Sequence, residues 1–104
     1  MKTTCIYLSV SALLATSAAA MAADVGQGKK LADEWCSSCH LVGPGQTRSG
    51  DAAPTFASIA TGAYEREDDL RAWLADPHPP MPNLNLTVYE IEDVLAYIES
   101  LRDD

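Results

Sequence analysis

The stretch WCSSCH, Trp35 to His40, places two thiols and an imidazole within five consecutive positions. Three chemistries compete for Cys36, Cys39 and His40. A tetrahedral zinc site needs four ligands. Outside the first 22 residues the chain offers only Cys36, Cys39, His40 and His78. Zinc would use every one of them, including two neighbours whose side chains diverge by about 100° on a helix. A redox dithiol of the thioredoxin kind wants a strand before the motif and a βαβ pattern around it, and the sequence has neither. Haem attachment uses the spacing differently. Two cysteines three apart lie on one face of a helical turn, where both sulfurs can join the vinyl groups of one porphyrin while the adjacent histidine turns under the ring to ligate iron.

A second axial ligand would decide what such an iron does, because a strong sixth ligand confines it to electron transfer and an open position admits small molecules. Beyond the first 22 residues Met81 is the only methionine. It stands in DPHPPMPNLNLT, where Pro77, Pro79, Pro80 and Pro82 stiffen the backbone on both sides. They hold a thioether in place with little entropy left to lose on folding. A gap-filling core methionine is the bland alternative. His78, three residues away, is the rival ligand, and two imidazoles would lower the potential relative to a His/Met pair.

The elements that must position these groups read as helices. From about Val25 to Cys39, Leu31 and Trp35 are spaced by four, and Gly28 with Ala32 makes a small-residue stripe on an adjacent face. Another element can approach closely there. The segment from Leu41 to Gly62 holds Gly43, Pro44, Gly45, Gly50 and Pro54 and reads as a long loop with a short helical turn near Phe56 to Ala60. A loop of that length usually wraps something or carries function. A second helix is expected from about Glu65 to Ala75, with Leu70, Trp73 and Leu74 on one face and Pro77 ending it. A third opens at Thr87 with Glu90 three residues on, a capping-box signature, and carries Ile91, Val94, Leu95, Ile98 and Leu101 at helical spacing. With no set of strands, the fold class is all-α.

The first 22 residues read as a secretory signal peptide. Met1 and Lys2 form a basic start, an apolar stretch runs from about Ile6 to Ala15, and Ala20 and Ala22 are small residues suited to cleavage before Ala23. Ser9 and Ser11 interrupt the apolar run, leaving it too short for a stable membrane anchor. Residues 23–104 then form one domain of 82 residues, small enough to need a staple. The two remaining cysteines exclude a multi-disulfide framework. Without Lys2 the balance is six basic against 15 acidic side chains, a net −9. That argues against nucleic acid and anionic lipid as partners.

From about Val25 to Leu101 the chain resembles the class I cytochromes c, and small bacterial monohaem members above all. The resemblance rests on CSSCH at 36–40, the Pro-Thr-Phe end of AAPTF, LRAWL at 70–74, MP at 81–82 and VLAYIESL at 94–101, in family order. It implies about three main helices wrapped around one haem c, attached through Cys36 and Cys39 with His40 and Met81 as axial ligands. It also implies that the Pro54 carbonyl accepts the imidazole N–H of His40, that Gly28 and Ala32 meet Tyr97 at a helix crossing, and that Trp73 either bonds a haem propionate or lines the pocket. Leu41, Phe56, Ile59, Leu70, Trp73, Leu74, Leu86, Leu95 and Ile98 are the expected pocket wall. Ala53 stands before Pro54 where many relatives have glycine, and the Arg48–Asp51 stretch is unusual. The function expected is that of a periplasmic electron carrier, a monomer rather than an enzyme, meeting redox proteins with basic docking surfaces. The alternatives are a haem c subunit of a periplasmic dehydrogenase and a haem enzyme or gas-binding sensor with an exchangeable sixth ligand.

Overall fold

The last helix organises the molecule. In the computed structural model, which describes residues 22–50, 52–62 and 66–102, four α-helices follow one another: α1 Val25–Leu31, α2 Phe56–Ala60, α3 Glu67–Ala75 and α4 Val88–Ser100. Helix α4 packs against each of the other three. The signal-peptide expectation, residues 1–22, falls almost wholly outside the described residues, as do Asp51 and the expected start of α3 at Glu65.

Local chemistry sets the helix starts. Asp24 caps α1 by accepting from the Gln27 N–H at 3.0 Å, Thr55 caps α2 by accepting from the Ser58 N–H at 3.1 Å, and both halves of the Thr87/Glu90 capping box form on α4. Each cap satisfies a donor that the first turn of a helix leaves without a partner. Helix α3 has no side-chain cap, but Glu67, Asp68 and Asp69 fill its first turn, where the helix dipole favours negative charge.

Where α1 crosses α4 the backbones nearly touch. A Cβ on Gly28 would overlap the Asp93 carbonyl and stand 2.9 Å from the Tyr97 Cβ. Only a residue with no side chain fits there. Ala32 is fully buried beside it, so the small-residue stripe serves the close approach read from the sequence. The core grows outward from this crossing through Leu31, Val42, Phe56, Val94, Ile98 and Leu101.

One expectation is corrected. The first helix does not run unbroken to Cys39: after Leu31 it widens into a π-helical turn, Ala32–Cys36, closed by the Ser37 N–H donating to the Ala32 carbonyl at 3.1 Å. The Ser37 hydroxyl donates to the Asp33 carbonyl at 2.6 Å, which helps hold the turn. Leu31 is buried while Trp35 is 52% exposed, so the two do not share one buried face. The spacing of four assumed an α-helical period that this turn breaks.

Candidate functional site

The two thiols and the imidazole of CSSCH emerge from the end of that π turn. The N–H groups of Cys39 and His40 both donate to the Cys36 carbonyl, at 3.2 and 2.9 Å, coiling CSSCH into a tight turn. Cys36 is buried and Cys39 half-buried, both as free thiols. Burial in apolar surroundings pushes the Cys36 thiol up to about 11.

The loop beyond is held by side chains where secondary structure is lacking. Gln46 is the hub. Its carbonyl accepts from the Val42 N–H at 3.0 Å, and its amide nitrogen shares two hydrogens among the carbonyls of Ser37 at 2.7 Å, His40 at 2.9 Å and Arg48 at 2.9 Å. The Gly50 N–H donates to the Ser38 carbonyl at 2.7 Å, and a Cβ on Gly50 would stand 2.6 Å from that oxygen. The Gly50 approach explains part of the unusual 48–51 stretch. Nothing in the pattern around Gln46 marked it, because an amide in a loop gives no periodic signal.

His40 is set from behind. Its Nδ1 lies 2.6 Å from the Pro54 carbonyl oxygen. A carbonyl only accepts, so Nδ1 carries the hydrogen, and Nε2 is the ring nitrogen left to serve as a ligand. Phe56 packs on the other side of this support, 5.4 Å from the imidazole centroid. Ala53 before Pro54 does not prevent the contact.

His40 faces a cavity of about 420 Å³. Cys36, Cys39 and Met81 line it too, with Leu70, Trp73 and Leu74 from α3, Ile98 from α4, and Ile59 from α2. Among the described residues, no Asp, Glu, Lys or Arg lines it. Of the pocket wall expected from the sequence, Leu41, Phe56, Leu86 and Leu95 do not line the cavity. Phe56 is buried beneath His40, and Leu95 faces the side where Arg66, Glu67 and Glu99 border a second cleft. Trp35, Pro80, Pro82 and Leu84 take part instead. Side-chain direction decides such membership, and spacing alone does not carry it.

Met81 enters from the proline-rich loop after α3. Its N–H donates to the His78 carbonyl at 3.0 Å, and its sulfur accepts from the Trp73 indole N–H at 3.1 Å. His78 is exposed and does not line the cavity. Its ring stands edge-on to Trp73 at 4.8 Å. The four-ligand zinc set is therefore not assembled, and among the described residues no group of three or more His, Cys, Asp or Glu side chains could hold a metal ion.

The donor set suits a flat, apolar, iron-bearing macrocycle. Two thiols for covalent attachment, one imidazole and one thioether reach a cavity walled, apart from Ser38, by hydrocarbon and aromatic side chains. Soft and borderline donors of this kind do not favour a hard, hydrated cation.

Comparison with known proteins agrees. The cytochrome c family profile matches residues 25–102. The chain is 43% identical over 98 residues to cytochrome c-552 of Bradyrhizobium diazoefficiens, a match covering 94% of this chain and 91% of that one. No solved structure matches the chain significantly.

Proposed function

Since the chain belongs to the cytochrome c family and is an electron carrier with haem c joined to Cys36 and Cys39, we propose that His40 and Met81 are its axial ligands and that it works in the periplasm. The bound haem supplies one-electron exchange between ferrous and ferric iron. One observation carries the ligand reading: His40 and Met81, 41 positions apart in the chain, line the same apolar cavity as the two cysteines.

The polypeptide's part is orientation and exclusion of water. The Pro54 carbonyl fixes the His40 ring and raises its donor strength. Gln46 holds the backbone on both sides of that histidine. Leu70, Leu74 and Ile98 keep the cavity apolar, which disfavours the added charge of the oxidised state and raises the potential. With both ligands retained in each oxidation state, little rearrangement accompanies transfer.

The test is the absorption spectrum of the haem-loaded protein in both oxidation states. The ferric form should show the weak long-wavelength band of a methionine–iron bond, absent from Met81→Ala. A loaded ferric protein lacking that band rejects Met81 as ligand.

Export is supported by the basic start, the apolar stretch and the small residues at Ala20 and Ala22. Cleavage before Ala23 would leave the Asp24 cap of α1 intact. No helix among the described residues is long and apolar enough to cross a membrane. Cell fractionation and N-terminal sequencing check both points, and a cytoplasmic protein beginning at Met1 would refute them.

Its partners are redox proteins, and their docking surfaces are basic, in keeping with the −9 balance of residues 23–104. Electron transfer with such a partner slows as salt shortens the Debye length below about 10 Å. A rate indifferent to salt would show that charge does not steer the encounter.

A further inference from the structure

Two carboxylates meet where α1 begins. Asp24 caps the helix through its Oδ1, and its own N–H donates to Oδ1 of Asp93 on α4 at 2.8 Å. Among the described residues no Lys, Arg or His is paired with either acid. A cation brought within about 4–6 Å would be stabilised by both.

Ala23 stands at this point. It is exposed and borders the second cleft, with Glu92 and Glu99 of α4, Glu67 of α3, Arg66 and Arg102. Those charges are already engaged: Arg66 with Asp69, Glu67 and Glu92 with Arg71, and Arg102 with Glu99. Asp24 and Asp93 are left without a cation. Three backbone bonds separate the Ala23 nitrogen from the Asp24 nitrogen, so the two are at most about 3.7 Å apart. The Ala23 nitrogen therefore lies within about 6.5 Å of the Asp93 carboxylate, whatever its rotation.

We propose that removal of the signal peptide supplies the missing cation: the α-ammonium group freed at Ala23 pairs with the Asp93 carboxylate and pins the start of α1 to α4. This rests on the reading of cleavage before Ala23. In the uncleaved chain the same nitrogen is an uncharged amide, so the precursor lacks the pair. The positive end of the α1 dipole opposes an ammonium here, and the Asp24 carboxylate offsets that opposition from within the cap. An amine held above its ordinary value of about 7.7–8.0 adds stability that is full below that range. The contribution is lost as pH rises through the folded value. Processing thus strengthens the same α1–α4 contact that Gly28 makes close.

The test follows the Ala23 resonance with pH in reduced, haem-loaded protein carrying 13C-alanine, at about 0.15 M salt, where the Debye length is about 8 Å. Mass measurement first establishes the start of the exported chain. A chain that does not begin at Ala23 overturns the cleavage reading and this inference with it. For a chain that does, the amine should hold its proton at least threefold more tightly than an ordinary terminal amine. Asp93→Asn keeps an oxygen to accept from the Asp24 N–H and removes the charge, and it should abolish most of that gain. Glu34→Gln removes a charge roughly 15 Å along the helix and should leave the gain in place. An ordinary affinity in wild type, or equal losses in the two variants, overturns the proposal while the cleavage reading stands. If Asp93→Asn does not fold, carbodiimide coupling of the wild type decides. Peptide mapping should find an amide between the Ala23 nitrogen and Asp93, and coupling of that nitrogen only to other acids overturns the proposal.

Discussion

The Tyr97 hydroxyl donates to the Val42 carbonyl at 2.5 Å, tying α4 to the chain two residues beyond His40. Tyr97 also presses its Cβ toward Gly28 and sets its ring 6.4 Å from Phe56. One side chain therefore touches the helix crossing, the loop after the cysteine motif and the ring beneath the imidazole. Tyr97→Phe keeps the packing and leaves a buried carbonyl without its partner. The expected loss is about 1–3 kcal/mol of stability, measured by chemical denaturation, with the absorption spectrum unchanged.

Gly28→Ala should be worse, although it adds a single methyl group. The new Cβ would collide with backbone at Asp93, which cannot swing aside as a flexible side chain could. Separating α1 from α4 to admit it costs about 1–3 kcal/mol or more by the usual measure of overpacking. A thermal melt within error of wild type would show that the crossing yields.

Gln46→Ala removes at once the contacts that one side chain makes with four backbone groups, in a loop with no ladder of its own. Because the amide is half-buried and water can reach part of the gap, the expected cost is about 1–3 kcal/mol. Hydrogen exchange should rise first at the Val42 amide. Protection there equal to wild type would remove Gln46 from its place as hub.

Acid should loosen the α3–α4 contact. Hydrogen bonding to Arg71 holds the Glu92 carboxyl below its ordinary 4.5, against a smaller opposing effect of burial. A depressed carboxyl contributes stability that is full above its unfolded value and is lost as pH falls through the folded one. Glu92→Gln should therefore narrow the difference in stability between pH 7 and pH 3, with most of the change below about 4.5. Parallel pH–stability curves for the two proteins would show the ion pair to be idle.

Much of this arrangement was legible in the sequence because it depends on local chemistry. The Thr87/Glu90 box, the stop at Pro77 and the stripe of Gly28 and Ala32 each state their consequence within a few residues, and the structure carries all three. CSSCH and the family order of motifs located the cysteines, the histidine and the methionine-bearing loop. What could not be read was direction in three dimensions. Phe56 and Leu95 are as apolar as Ile59 and Ile98, yet only the latter two reach the cavity. Gln46 gave no signal since its partners are backbone groups, which every sequence possesses. The acceptor chosen by Trp73 depends on how α3 and the proline-rich loop are docked together, and no spacing encodes that.

The π turn sets a ruler inside the chain. Gly28, locked against α4, and Cys36, at the cavity edge, are eight residues apart, and the widened turn absorbs one residue more than an α-helix would use. Deleting either Asp33 or Glu34, both exposed, would let the helix relax into an ordinary α-helix with Cys36 still facing as it does, whereas inserting a further residue would turn Cys36 by about 100° about the axis. The lengthened chain would keep every chemical group of the motif and present one thiol in the wrong direction. Over this segment, then, side chains on the outer face are free to drift in sequence and one residue can be lost, whereas none can be added.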